Sequence, residues 1–163
     1  MPSVTAGVGI LGCYMDATRD AINETVAWKD WAGIDYIKRI HYTENRDELE
    51  NGASFVRTIE NNPFANIWIP SVSVEVLQCL WDVAAFVLFQ ADATKIANHD
   101  ESAIQYMNSV GQIMEQLVDV FSDGKGRPVC TEIAMVSEPF RVPAEMSGDE
   151  CDFWTSTIGF KYG

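Results

Sequence analysis

The chain has 163 residues, with 11 Lys and Arg against 24 Asp and Glu, for a formal net charge of −13. Hydrophobic residues make up 47 % and charged residues 21 %, which excludes a disordered chain and fits one domain, residues 1–163, large enough to bury its own core. So acidic a balance argues against nucleic acid as the main ligand, because phosphate binding needs a positive footprint. No segment approaches the about 20 apolar residues of a membrane-spanning helix. MPSVTAGVGILG carries no basic lead into its short apolar stretch, which points away from a secretory signal. Cys13, Cys79, Cys130 and Cys151 are scattered, with no CxxC pair, and the expectation is four reduced thiols in a cytoplasmic setting.

Residues Gly9 to Trp28 read as an amphipathic helix, with Ile10, Leu11, Tyr14, Thr18, Ala21, Ile22 and Val26 near helical spacing. Ile34 to Tyr42 (IDYIKRIHY) then has the β-branched and aromatic content of a strand. From Thr43 to Asn62 the chain is hydrophilic. Asn51-Gly52 is a tight-turn dipeptide, and SFVRTI either returns as a short strand or belongs to a surface loop. Ile67, Ile69, Val72, Val74 and Val76 alternate with polar or small residues, giving a strand pair interrupted at Pro70. Val76 to Phe89 fits either a helix or a strand by spacing, and the Val and Phe of its FVLF ending favour a buried strand.

Glu101 to Ser122 is the clearest helix. Asn98 and Glu101 have the spacing of a capping box, with Asp100 as the alternative cap. Ile104, Met107, Val110, Met114, Leu117, Val118 and Phe121 form its expected apolar stripe, and Gly124 its stop. Two strands follow, Val129 to Val136 and Cys151 to Tyr162, the second with Trp154, Ile158, Phe160 and Tyr162 on one face. EPFRVPAEMSGDE between them reads as an extended connection with a turn. The order predicts an α+β fold: a small antiparallel or mixed sheet, a long helix packed across it, and an N-terminal helix.

Motifs that carry chemistry are weak. Gly7, Gly9 and Gly12 spell G-x-G-x-x-G, but only six residues precede them, too few for the strand that a dinucleotide site needs. Asp149, Glu150 and Asp152 lack the spacing of a calcium loop. No nucleophile signature surrounds any Ser or Cys, and His41 and His99 are far apart in sequence. The expectation is a protein with no catalytic residues, no cofactor and no metal. Acidic charge is concentrated in residues 61–163, net −9, against −4 in residues 1–60. That surplus serves solubility, repels DNA, or steers a basic partner.

The layout resembles the tail terminators and related head–tail completion proteins of tailed bacteriophages. The matching pieces are the helix around Asp16 to Val26, NPFANIWIPS as an early strand, and FVLFQAD leading to the long helix AIQYMNSVGQIMEQLVDVF, with EIAMVSEPF and GDECDFWTSTIGFKY as closing strands. The resemblance covers most of the chain and rests on layout, with no invariant motif. It implies a structural virion protein assembled in the host cytoplasm. It implies a homo-oligomeric ring, typically a hexamer, that caps the tail tube and joins it to the head. Partners would be further copies of the chain, tail-tube and neck or connector proteins, and DNA passing through the lumen without specific binding, with no membrane contact. The loop 43–62 and the connection 138–150 are then assembly arms, with Asn51, Gly52, Phe55, Phe140 and Arg141 as candidate interface residues. The rival reading is an acidic α/β binding module such as a secretion chaperone, a dimer that holds an unfolded partner segment.

Overall fold

The computed structural model describes residues 9–42, 63–123, 126–143 and 152–163. Among these described residues, three helices and a five-stranded mixed sheet make an α+β fold, as the order of elements predicts. Helix α1 spans Ile10–Glu24 and α2 spans Val26–Ala32. A 3₁₀ turn, Tyr36–Arg39, leads into β1, Ile40–Tyr42. Then come β2 (Phe64–Glu75), β3 (Leu80–Asp92), α3 (His99–Ser122), β4 (Cys130–Val142) and β5 (Phe153–Tyr162). The sheet order is β1-β2-β3-β5-β4, with β1 parallel to β2 and every other pair antiparallel.

The expected single helix from Gly9 to Trp28 is two helices, broken at Thr25. Thr25 leaves helical geometry at ψ 133° and caps α2: its hydroxyl accepts from the Trp28 amide at 3.2 Å and donates to the Ile22 carbonyl at 2.8 Å. The Gln116 side-chain oxygen on α3 accepts from the Ala27 amide at 2.8 Å, so a second exposed N–H of that first turn is met from a neighbouring helix. The expected strand from Ile34 to Tyr42 is mostly turn, and only its last three residues pair with β2.

Pro70 does not divide β2. The proline has no N–H to offer the ladder, and the register with β3 shifts between Trp68 and Ser71 to accommodate it. On the other side, β1 pairs only with Ala65, Asn66 and Ile67, so among the described residues no neighbour loses a bond at Pro70. The expected buried strand from Val76 to Phe89 is also corrected. Val76 to Cys79 form the turn of a hairpin, β3 begins at Leu80, and full burial begins at Val83.

The helices cover one face of the sheet. Ile22 and Trp28 meet Tyr106, Val110, Ile113 and Leu117 of α3 over a floor of Val83, Val87, Phe89, Ile158 and Phe160. Asn98 caps α3 as the capping-box spacing predicts, accepting from the Glu101 amide at 3.0 Å. The stripe that faces the sheet is not the expected one. Val110 and Leu117 are buried as expected, and Met114 and Phe121 are half-buried against the core. Ile104, Met107 and Val118 point outward, and Tyr106 and Ile113 take their place. The helix carries two apolar stripes, and only one can meet the sheet.

Buried polar groups fix how α1 and α3 sit on the sheet. Thr18 and Tyr162 share a hydrogen bond of 2.6 Å between α1 and β5. The Tyr106 hydroxyl donates to the Phe89 carbonyl at 3.1 Å and pairs with Ser156 at 2.7 Å, and the Trp154 indole donates to Ser102 at 2.8 Å. Each bond contributes only about 1 kcal/mol net, but deleting one partner strands a buried polar atom, so together they select one register of helix on sheet.

Candidate functional site

One apolar surface lies at one end of the sheet. From Ser71 to Asp82, β2 and β3 run as a two-stranded ribbon. β1 stops at the level of Ile67, and β5 joins β3 only from Val83. Among the described residues no helix lies over its end, and the ribbon keeps its side chains in solvent: Val72, Val74 and Leu80 are exposed, Val76 is 84 % exposed and Leu77 96 %. Cys79 closes the turn with a left-handed φ of 53°, and its thiol is free and exposed. Scattered surface hydrophobics are ordinary, whereas a contiguous apolar tip on a projecting hairpin marks a contact surface.

The second feature is the long outer edge of β4. Its ladder with β5 is interrupted three times, at Cys130/Glu132, Met135/Ser137 and Ser137/Phe140, and Pro139 lies in the strand. Irregularities and a proline are how natural edges discourage indiscriminate strand pairing. Contact there therefore falls to side chains.

Of the sequence-derived interface residues, Asn51, Gly52 and Phe55 lie outside the described residues, as does the whole 43–62 loop. Phe140 and Arg141 are in β4. The expected connection 138–150 is thus strand as far as Val142, and 144–150 lie outside the described residues. Phe140 is half-exposed and lies opposite Thr155. Arg141 is engaged within the chain. Its guanidinium donates to Asp152 at 2.8 and 3.1 Å and meets Nδ1 of His99 at 3.0 Å, tying β4 to the start of β5 and of α3. The hairpin tip is not apparent from the sequence pattern. Its signal was a run of apolar residues, VEVLQCL, without the Gly, Pro or Asn that usually marks a turn.

Chemically reactive groups are dispersed. Among the described residues no group of three or more His, Cys, Asp and Glu side chains is placed to hold a metal ion. Burial, aided by the Arg39 charge, pushes the His41 imidazole below its ordinary value, while the Tyr106 and Tyr162 hydroxyls are held above theirs by burial, against the opposing pull of Ser156 and Thr18. A cavity of about 180 Å³ opens at the far end of the sheet from the hairpin, between Trp31, Tyr106 and Trp154, with Asp92 and Lys95 at its rim. Ligand pockets run from about 300 Å³ upward, so this one is small for a drug-sized ligand. No helix among the described residues is long and apolar enough to cross a membrane.

No protein-family model matches this chain, and no curated protein matches it.

Proposed function

We propose that this chain is a structural protein of a tailed-bacteriophage virion, similar to a tail terminator, which forms a ring at the head–tail junction, caps the tail tube and joins it to the head. The reading rests on the layout of elements and is carried above all by the apolar β2–β3 hairpin. A side chain such as Leu77, 96 % exposed, is an arm waiting for a neighbour. A ring of identical subunits needs two different patches that meet at every boundary, and a projecting arm supplies one of them. The acidic surplus in residues 61–163 suits a lumen along which DNA slides without adhering.

The test is microscopy of tail tubes assembled from tube protein and mixed with this chain. The expected outcome is a ring of density at one tube end and arrest of tube growth. Bare ends that keep growing contradict the reading. A stable dimer that copurifies with one unfolded partner favours the chaperone alternative instead.

A further inference from the structure

Two features of the cavity between Trp31, Tyr106 and Trp154 point to one kind of occupant. The first is its walls. The Tyr106 hydroxyl is turned to the sheet, where it bonds the Phe89 carbonyl and Ser156. The Trp154 indole donates to Ser102 Oγ, which donates in turn to the Ala93 carbonyl at 3.2 Å. With these polar atoms engaged, Tyr106 and Trp154 offer the cavity ring carbon. The ring of Trp31 meets that of Tyr106 edge-on, with centroids 5.6 Å apart and planes at 70°, and Trp154 lies nearly parallel to Tyr106 at 6.0 Å. A group seated in the corner between Trp31 and Tyr106 lies against two ring faces, and the negative face of an aromatic ring attracts a cation.

The second feature is Asp92, which ends β3 at the rim. Its Oδ1 accepts from the Thr94 amide at 2.7 Å and from the Thr94 hydroxyl at 2.5 Å. Its Oδ2 is buried and makes no hydrogen bond. A buried carboxylate oxygen without a donor is costly, and a donor that brings positive charge relieves that cost best. We propose that this cavity binds a primary alkylammonium group, which donates to Asp92 Oδ2 and lays its short alkyl chain against Trp31, Tyr106 and Trp154. An apolar cavity of about 150 Å³ takes up benzene, so a volume of about 180 Å³ has room for an ammonium on a short chain. A neutral apolar guest leaves Oδ2 without a donor. An anion is repelled by Asp92 and by the net charge of −13, which draws cations toward the chain. A small free amine and the lysine side chain of another protein share this chemistry. The cavity lies at the far end of the sheet from the hairpin, so the site is independent of the ring reading.

Butylammonium chloride is titrated into the isotope-labelled chain at constant ionic strength, and the indole signals of Trp31 and Trp154 are followed by NMR. Butanol, with the same carbon chain and no charge, is titrated beside it. The expected result is saturable shifts of both indoles with butylammonium and binding of butanol weaker by about tenfold or more. Asp92→Asn keeps an Oδ1 acceptor for Thr94 and should weaken butylammonium by about tenfold or more. Asp100→Asn, an equal change of charge on the exposed first turn of α3, should leave binding as it was. Lys95→Ala removes a competing ammonium from the rim and should bind at least as tightly as the unchanged chain. Nα-acetyl-lysine methylamide separates the two sources: binding as tight as that of butylammonium assigns the site to a lysine side chain, and weaker binding assigns it to a free amine. Equal binding of butanol, indole shifts that never saturate, or an Asp92→Asn chain that binds unweakened overturns the assignment.

Discussion

Leu117 and Val118 are adjacent on α3 and point about 100° apart, one into the core and one into solvent, so the same truncation at each tests which stripe meets the sheet. Leu117 is fully buried in the cluster with Ile113, Ile158 and Phe160, whereas Val118 is largely exposed. Leu117→Ala removes buried carbons and leaves a cavity, at a cost of about 3 kcal/mol. For a domain of this size that lowers Tm by roughly 6–12 °C. Val118→Ala removes carbons that water already touches and gains helix propensity, so its effect on folding stays within about 0.5 kcal/mol. Both are measured by thermal and denaturant unfolding in a Val76→Ser/Leu77→Ser background, so that association through the arm does not contribute. Equal losses, or the larger loss at Val118, would refute the packing of α3.

Two further outcomes follow from the interior. A Cβ added at Gly159 would lie 2.8 Å from Cγ2 of Val136 and 3.3 Å from Phe86, so Gly159→Ala is expected to cost about 1–2 kcal/mol by denaturant titration; Val136→Ala in the same chain should restore most of it. Burial raises the Tyr106 and Tyr162 hydroxyls above the ordinary tyrosine value of about 10, so the unfolded chain loses these protons first as pH climbs. The stability they protect is full below pH about 10 and falls as pH rises from there through the raised values. Tyr106→Phe should flatten that alkaline slope in unfolding curves taken from pH 8 to 11, and an unchanged slope would show that Tyr106 ionises as freely as in the unfolded chain.

The elements that announced themselves in the sequence are those with a local chemical cause. Asn98 and Glu101 fix the start of α3 through a hydrogen bond three residues long, and the alternation of Trp154, Ile158, Phe160 and Tyr162 marks the inner face of β5. What stayed hidden depends on neighbours distant in sequence. Ile104, Met107 and Val118 are as apolar as Tyr106, Ile113 and Leu117, and periodicity cannot say which stripe finds a sheet. Pro70 reads as a strand breaker until it is seen that β1 ends before reaching it. The break at Thr25 falls in a run whose helical spacing continues across it, and Gln116, 89 residues away, is part of what holds it. The hairpin arm was illegible for a related reason: apolar residues in a strand pattern imply burial, and only the sheet's extent shows that nothing covers Val76 and Leu77.

The proposed self-association through the uncovered apolar arm is tested directly by solution mass measured across concentration. Sedimentation equilibrium from about 1 to 100 μM should give a closed multiple of the 18.2 kDa chain. In Val76→Ser/Leu77→Ser that species should dissociate, because withholding a buried Val and Leu weakens each boundary by roughly 4 kcal/mol, about a thousandfold. A particle of 18.2 kDa at every concentration, or a multimer that the double substitution leaves intact, would contradict the account.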